Sequence, residues 1–223
     1  MKFDLSQTEE NYLKAIYSLF VVANKPVSTN KIAERLETKA SSVTDMIKKL
    51  AEKQLVDYVK YQGVSLTVTG KDIAVHVIRK HRLWEVFLVR HLGFQWDEVH
   101  EVAEQLEHVK SRKLTDGLDA FLDFPRYDPH GDPIPDKDGN FIKRNITVLS
   151  SLKINEESKI VGVKDSSSAF LKYLDNADIK LGVEIKVLHK EDFDNSMLLL
   201  IEGQKISISQ QISSNLYVKQ NKN

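Results

Sequence analysis

The sequence contains no cysteine, which excludes a disulfide framework and any thiolate metal site. It carries no net charge, with 32 Lys and Arg against 32 Asp and Glu, so bulk composition gives no prior for a polyanionic partner. No apolar run approaches the roughly 20 residues that span a bilayer. The opening "MKFDLSQTEE" lacks the apolar centre of an export signal, so a cytoplasmic protein with no membrane partner is expected. Proline is scarce and clustered: Pro125, Pro129, Pro133 and Pro135 all fall in "PRYDPHGDPIP". No Gly-rich phosphate loop is present and no Ser/His/Asp triad can be argued. No enzyme activity and no small organic substrate are expected, with a metal-dependent hydrolase as the rival reading.

What is present begins with helices. In "SQTEENYLKAIYSLFVVA", Ser6 and Glu9 stand at capping-box spacing ahead of Leu13, Ile16 and Phe20 at helical spacing. Ser28 can cap a short second helix with Ile32, Ala33 and Leu36 inward. "SSVTDMIKKLAEKQLV" gathers Val43, Met46, Ile47, Leu50 and Ala51 on one arc and leaves Ser41, Ser42, Thr44, Asp45, Lys48 and Lys49 outward. "DYVKYQGVSLTVTG" alternates as a hairpin does, with Gly63 near the turn and Val64, Leu66 and Val68 on one face. Helix, helix, helix, hairpin is the order of a winged helix-turn-helix. A long helix, "GKDIAVHVIRKHRLWEVFLVRHLG", follows, then a second across "HEVAEQLEHVKS". The proline-rich stretch reads as an ordered loop leading into a linker around residues 136–150. From about residue 151, alternating segments such as "SKIVGVKD", "GVEIKVLHK", "SMLLLIEG" and "QKISIS" predict a small β-barrel. The expected fold class is mostly α with added β.

Four constellations carry chemistry. Short hydroxyls and lysines on the third helix (Ser41, Ser42, Thr44, Lys48, Lys49), beside Lys60 and Tyr61 of the wing, suit base edges and phosphates of double-stranded DNA. An ordinary solvent face has the same composition. His81 and Glu85 sit four residues apart on one helical face. In "HEVAEQLEH", His100, Glu104, Glu107 and His108 fall on one stripe about 100° wide, away from Val99, Val102, Ala103, Leu106 and Val109. Carboxylate oxygens with imidazole nitrogens suit Mn²⁺ or Fe²⁺. The metalloprotease pattern H-E-x-x-H fails there, because position 104 is Glu where it needs His. Asp128 and His130, in "YDPHG", lie in a loop stiffened by proline. Trp84, Phe87 and Phe94 read as core or dimer-interface residues, and His76, His91 and His189 as ordinary.

In this order, "TEENYLKAIY", "SSVTDMIKKL", "RKHRLWEVFLVRHLG", "EVHEVAEQLEH" and "PHGDPIP" resemble the diphtheria-toxin-repressor family of metal-dependent transcriptional regulators, its manganese-responsive branch above all. The resemblance implies a winged helix-turn-helix domain over residues 1–72, a helical dimerisation and metal-binding domain over 73–142, and an SH3-like β-barrel over 151–220. It implies a homodimer that binds operator DNA when Mn²⁺, or alternatively Fe²⁺, is bound. It assigns Glu104, Glu107, His108 and Asn11 to a primary metal site, with Asp128 and His130 at or near it. His81, Glu85, His100 and Asp165 fall to an ancillary site. Asn11 departs from the family's Asp or Met and is a neutral, weaker ligand; Asp128 stands where close relatives can have Cys. The rival readings are a metal-dependent hydrolase and a winged-helix regulator answering to an organic ligand.

Overall fold

The computed structural model describes residues 4–59 and 62–220. The chain forms two compact units. One comprises Met1–Trp84, Glu104–Leu118 and Pro135–Asn140, the other Glu85–Ala103, Asp119–Ile134 and Phe141–Asn223.

The first unit opens with α1 (Gln7–Ala23), whose capping box is present: Ser6 Oγ accepts from Glu9 N and the Glu9 carboxylate accepts from Ser6 N. Satisfying these otherwise orphaned amides fixes where the helix starts. Glu9 is buried, and Lys53 Nζ (2.6 Å) and Lys49 Nζ (3.2 Å) reach its carboxylate. Burial alone would raise its pKa, but the two lysines and the Ser6 amide bring it down to about 2. Ser28 caps α2 (Thr29–Arg35), and α3 (Ala40–Glu52) buries Val43, Ile47 and Leu50. These side chains meet Leu13, Ile16, Ile32, Leu55 and Val64 in one apolar core.

Two expectations are corrected here. α3 stops at Glu52, and Gln54 turns left-handed (φ 57°). "QLV" therefore leaves the helix, and Val56 opens β1 (Val56–Val59), paired antiparallel with β2 (Gly63–Leu66). Val68 is no strand residue: it begins α4 (Val68–Leu92) and is 89% exposed. Thr67 makes the switch, its Oγ1 donating to Gln54 O and accepting from Gly70 N. A β-branched residue whose hydroxyl satisfies a first-turn amide ends a strand and starts a helix at one position. Lys60 and Tyr61 lie outside the described residues.

α4, α5 (Val99–Leu106) and α6 (Arg112–Phe121) run through both units. α5 is shorter than the sequence pattern predicts. It ends at Leu106, so Glu107 and His108 lie in the turn beyond it, and the expected single stripe is broken there.

The second unit is built on a six-stranded antiparallel sheet in the order β3-β8-β4-β5-β6-β7. Its strands are β3 (Ile146–Val148), β4 (Glu157–Val163), β5 (Glu184–Lys190), β6 (Met197–Ile201), β7 (Gln204–Ile208) and β8 (Leu216–Lys219). Irregularities between Ile160 and Gly162, and between Val187 and His189, break the ladder where strands bend. The four expected strand segments are β4 to β7. β3 lies in what reads as linker, and α7 (Ser168–Asn176) and α8 (Gln210–Ser213) were not expected from the alternation. α7 starts at Ser167, whose Oγ accepts from Phe170 N, and seals the sheet with Phe170, Leu171 and Leu174. No helix among the described residues is long and apolar enough to cross a membrane.

Candidate metal centre

Glu85, on α4, is a buried carboxylate of the second unit, 2% exposed. Facing it is the loop that follows Pro125. Asp128 shapes that loop as its own template: its Oδ1 accepts from His130 N and Asp132 N, both at 2.9 Å. Such an Asx turn is what an Asp before Pro favours. Gly131, at φ +86°, then passes so close to β4 that an added Cβ would stand 2.2 Å from Val161 O. Val163 N donates to His130 O at 3.0 Å. The loop is thus clipped to the sheet on one side while His130 faces Glu85 on the other.

One potential ligand atom each from Glu85, Asp128 and His130 lies within 4.8 Å of the other two, and all three residues are buried. The His130 ring is oriented at both nitrogens. Nε2 lies 2.8 Å from Trp96 O, and Nδ1 lies 3.8 Å from Glu85 Oε1. A proton on Nε2, donated to that carbonyl, leaves the Nδ1 lone pair for a cation, the usual outer-shell arrangement of metal-binding histidines. Trp96 is itself fixed: its ring stacks 9° from parallel to the His130 ring, and its Nε1 donates to Asp175 of α7 at 2.9 Å. Burial pushes the His130 pKa down, but the Glu85 carboxylate, Asp128 and the Trp96 carbonyl together raise it to about 9. The pocket therefore favours positive charge, and an entering metal must expel a proton. Its donors, two carboxylates and one imidazole without sulfur, fit a hard or borderline divalent ion.

The other predicted residues fall as follows. His100 Nδ1 lies 3.1 Å from Glu85 Oε1, so this ancillary pair does meet. His81, one turn before Glu85 on α4, has Nδ1 2.5 Å from Glu107 Oε2. Asp165 accepts from Ser167 N at 2.8 Å, two residues after the β4 residue bonded to His130. Asp128 and His130 assemble with Glu85, a residue the resemblance gives to the ancillary site. In the expected primary set, Glu107 is fully buried while Glu104 is 49% exposed. Lys14 Nζ stands 2.8 Å from Glu107 and 3.4 Å from Glu104. His108 Nδ1 is 2.5 Å from Glu10 Oε2. Asn11 Oδ1 is buried without a hydrogen-bond partner. Burial raises the Glu107 pKa, but His81 and Lys14 outweigh it and hold the group ionised. Lys14, Glu10 and Trp96 were missed from sequence. Lys14 lies three residues after Asn11 and four after Glu10, so its helical neighbourhood with each was the available signal. Trp96 acts through a carbonyl, which no side-chain pattern reveals.

On the third helix Ser41 and Ser42 are exposed. Thr44 Oγ1 returns to Ala40 O, Lys48 pairs with Asp45, and Lys49 reaches Glu9, so Lys49 is partly drawn back from the outer face.

The comparisons agree with this architecture. Residues 4–64 match the family described as iron dependent repressor, N-terminal DNA binding domain. Residues 67–136 match iron dependent repressor, metal binding and dimerisation domain, and 147–220 the FeoA domain. The chain is 37% identical over 132 residues to the iron-dependent repressor IdeR of Mycobacterium leprae, covering 59% of this chain and 57% of that protein. It is 27% identical to the diphtheria toxin repressor of Corynebacterium diphtheriae, covering 97% of this chain and 99% of that one. A solved manganese-dependent transcriptional repressor in complex with manganese superposes with a TM-score of 0.85 at 34% identity, over 95% of this chain and 99% of that one. A DNA-binding helical unit, a buried carboxylate–imidazole pocket and full-length likeness converge: the chain belongs to the diphtheria-toxin-repressor family of metal-dependent transcriptional repressors.

Proposed function

We propose that this chain represses transcription as a homodimer that binds operator DNA when Mn²⁺ is held by Glu85, Asp128 and His130, with Fe²⁺ the alternative ion. The observation that carries the reading is the convergence of those three buried side chains. An all oxygen and nitrogen donor set leans towards Mn²⁺, since soft sulfur ligands are missing. A solved relative is a manganese-dependent repressor bound to manganese. The ion would supply two positive charges between Glu85 and Asp128. The chain's own residues supply the rest. Glu85 belongs to the long helix α4, and the Asp128–His130 loop is braced by β4. Trp96 O directs Nδ1 of His130 inwards, His100 lies beside Glu85, and Asp165 would be a further ligand from the segment after β4. Ser41, Ser42, Thr44, Lys48 and Lys49, with Lys60 and Tyr61, would face the DNA. Metal that binds the DNA-competent form more tightly must itself be bound more tightly when DNA is present.

The test is fluorescence anisotropy with a promoter fragment across Mn²⁺, anaerobic Fe²⁺, Zn²⁺ and a chelator. Binding that requires Mn²⁺ and is lost in His130→Ala supports the proposal. Binding equal with metal and chelator sinks the sensing mechanism.

A further inference from the structure

The cluster between α1 and the end of α5 holds the carboxylates of Glu10, Glu104 and Glu107, and the chain brings its own cations to them. Lys14 Nζ contacts Glu107 and Glu104 from a side chain only 18% exposed. His81 reaches Glu107, and His108 reaches Glu10. Lys80, whose pKa burial lowers, also feels Glu10 and Glu107. Three carboxylates thus face two lysines and two imidazoles.

We propose that Lys14 is an internal cation standing in place of a metal ion between Glu104 and Glu107. The junction of α1 with α5 is then latched by the chain itself, and metal is read only at Glu85, Asp128 and His130. The second half of that statement rests on the proposed function above. Three observations carry the first half. Carboxylate oxygens approach a divalent ion at about 2.0–2.6 Å, so an ion between Glu104 and Glu107 would crowd an ammonium already 2.8 and 3.4 Å from them. Lys14 has little freedom to withdraw, because it lies on α1 one turn after Glu10 and its side chain is largely enclosed. The remaining donors do not compensate. His108 Nδ1 is engaged by Glu10, Asn11 Oδ1, buried without a hydrogen-bond partner, is neutral, and Glu107 Oε1, likewise without a hydrogen-bond partner, already lies 2.8 Å from Lys14 Nζ. The residues of this cluster therefore do not fit a metal ion as they stand. With Lys14 neutralised, Glu107 would keep only the His81 imidazole against its charge, and the same cluster would become a cation site.

Mn²⁺ titrations of the full chain, read by calorimetry and by the loss of the free-ion electron paramagnetic resonance signal, decide this. Wild type should bind one equivalent per chain, Glu107→Gln should keep it, and Lys14→Gln should gain a second. His130→Ala should lose the single wild-type equivalent, and its failure to do so would overturn the proposed metal site rather than the role of Lys14. Two equivalents in wild type, one of them lost in Glu107→Gln, would overturn the internal-cation proposal, as would a folded Lys14→Gln chain that gains none. Should Lys14→Gln fail to fold, the count in Glu107→Gln decides alone: an equivalent lost there overturns the proposal and an unchanged count supports it.

Discussion

Three buried glutamates occupy the two units, and they are neutralised by different chemistry. In the first unit Glu9 is held by Lys49 and Lys53, and Glu107 by Lys14 together with His81. In the second, Glu85 faces imidazoles, those of His100 and His130. An ammonium is a proton donor and never a metal ligand while charged, so a lysine partner makes a fixed tie. An imidazole can give up its proton and offer the same nitrogen to a metal, at His130 only against a pKa raised to about 9. The buried carboxylates are alike; the partner decides which of them can exchange a proton for an ion.

The largest effect that could break this contrast comes from Glu85→Gln. It keeps the side-chain shape but removes the charge both imidazoles face. Mn²⁺ affinity should fall by about 100-fold or more, beyond the 10–100-fold typical of losing an outer-shell partner. Calorimetry measures it, and near-normal affinity would place the ion elsewhere. Next is Gly131→Ala. A Cβ there meets Val161 O at 2.2 Å in a left-handed backbone, so the loop must leave β4. A stability loss of about 1–3 kcal/mol is expected, with weaker Mn²⁺ binding. Gly139→Ala is the matched control in the first unit. Its φ is +81° but its nearest contact is Val75 Cγ1 at 3.4 Å, so a smaller loss of about 1 kcal/mol with unchanged metal binding should be seen. Equal effects on metal binding would mean that the β4 contact does not position His130.

The smallest change is expected of Glu9→Gln, which should cost about 1–2 kcal/mol at neutral pH and leave Mn²⁺ binding intact. Its pH dependence has a definite sign. The folded pKa, about 2, lies below the ordinary 4.5. The carboxylate's contribution is therefore complete above about pH 4.5 and is lost as pH falls towards 2. Thermal melts of both proteins should converge in that window. A difference that persists below it would assign the stabilisation to packing rather than charge.

Much of the local structure was legible. Ser6 with Glu9 and Ser28 marked two helix starts because capping is a contact within three residues. The β4 to β7 segments showed in alternation because one face of each packs on a core. The proline-rich loop was legible as ordered, and its Asp128 and His130 as candidates. α7 was not, although Ser167 caps it: only four residues separate its nine from the end of the β4 alternation. The end of α5 at Leu106 was also hidden, since the apolar spacing continues through Val109 while the backbone turns.

By itself the sequence determined the donors. With no cysteine, its candidate metal ligands are oxygen and nitrogen, and its helices and strands start where short-range hydrogen bonds and periodicity require. Tertiary structure decided the partners. Spacing on a helix ranks neighbours within a turn or two, but which distant side chain closes on a buried carboxylate depends on how whole elements pack. Lys14 reached Glu107 across 93 residues of chain. Glu85 received His130 because Gly131 lets a loop lie flat on β4, an approach measured in tenths of an ångström that no sequence pattern records.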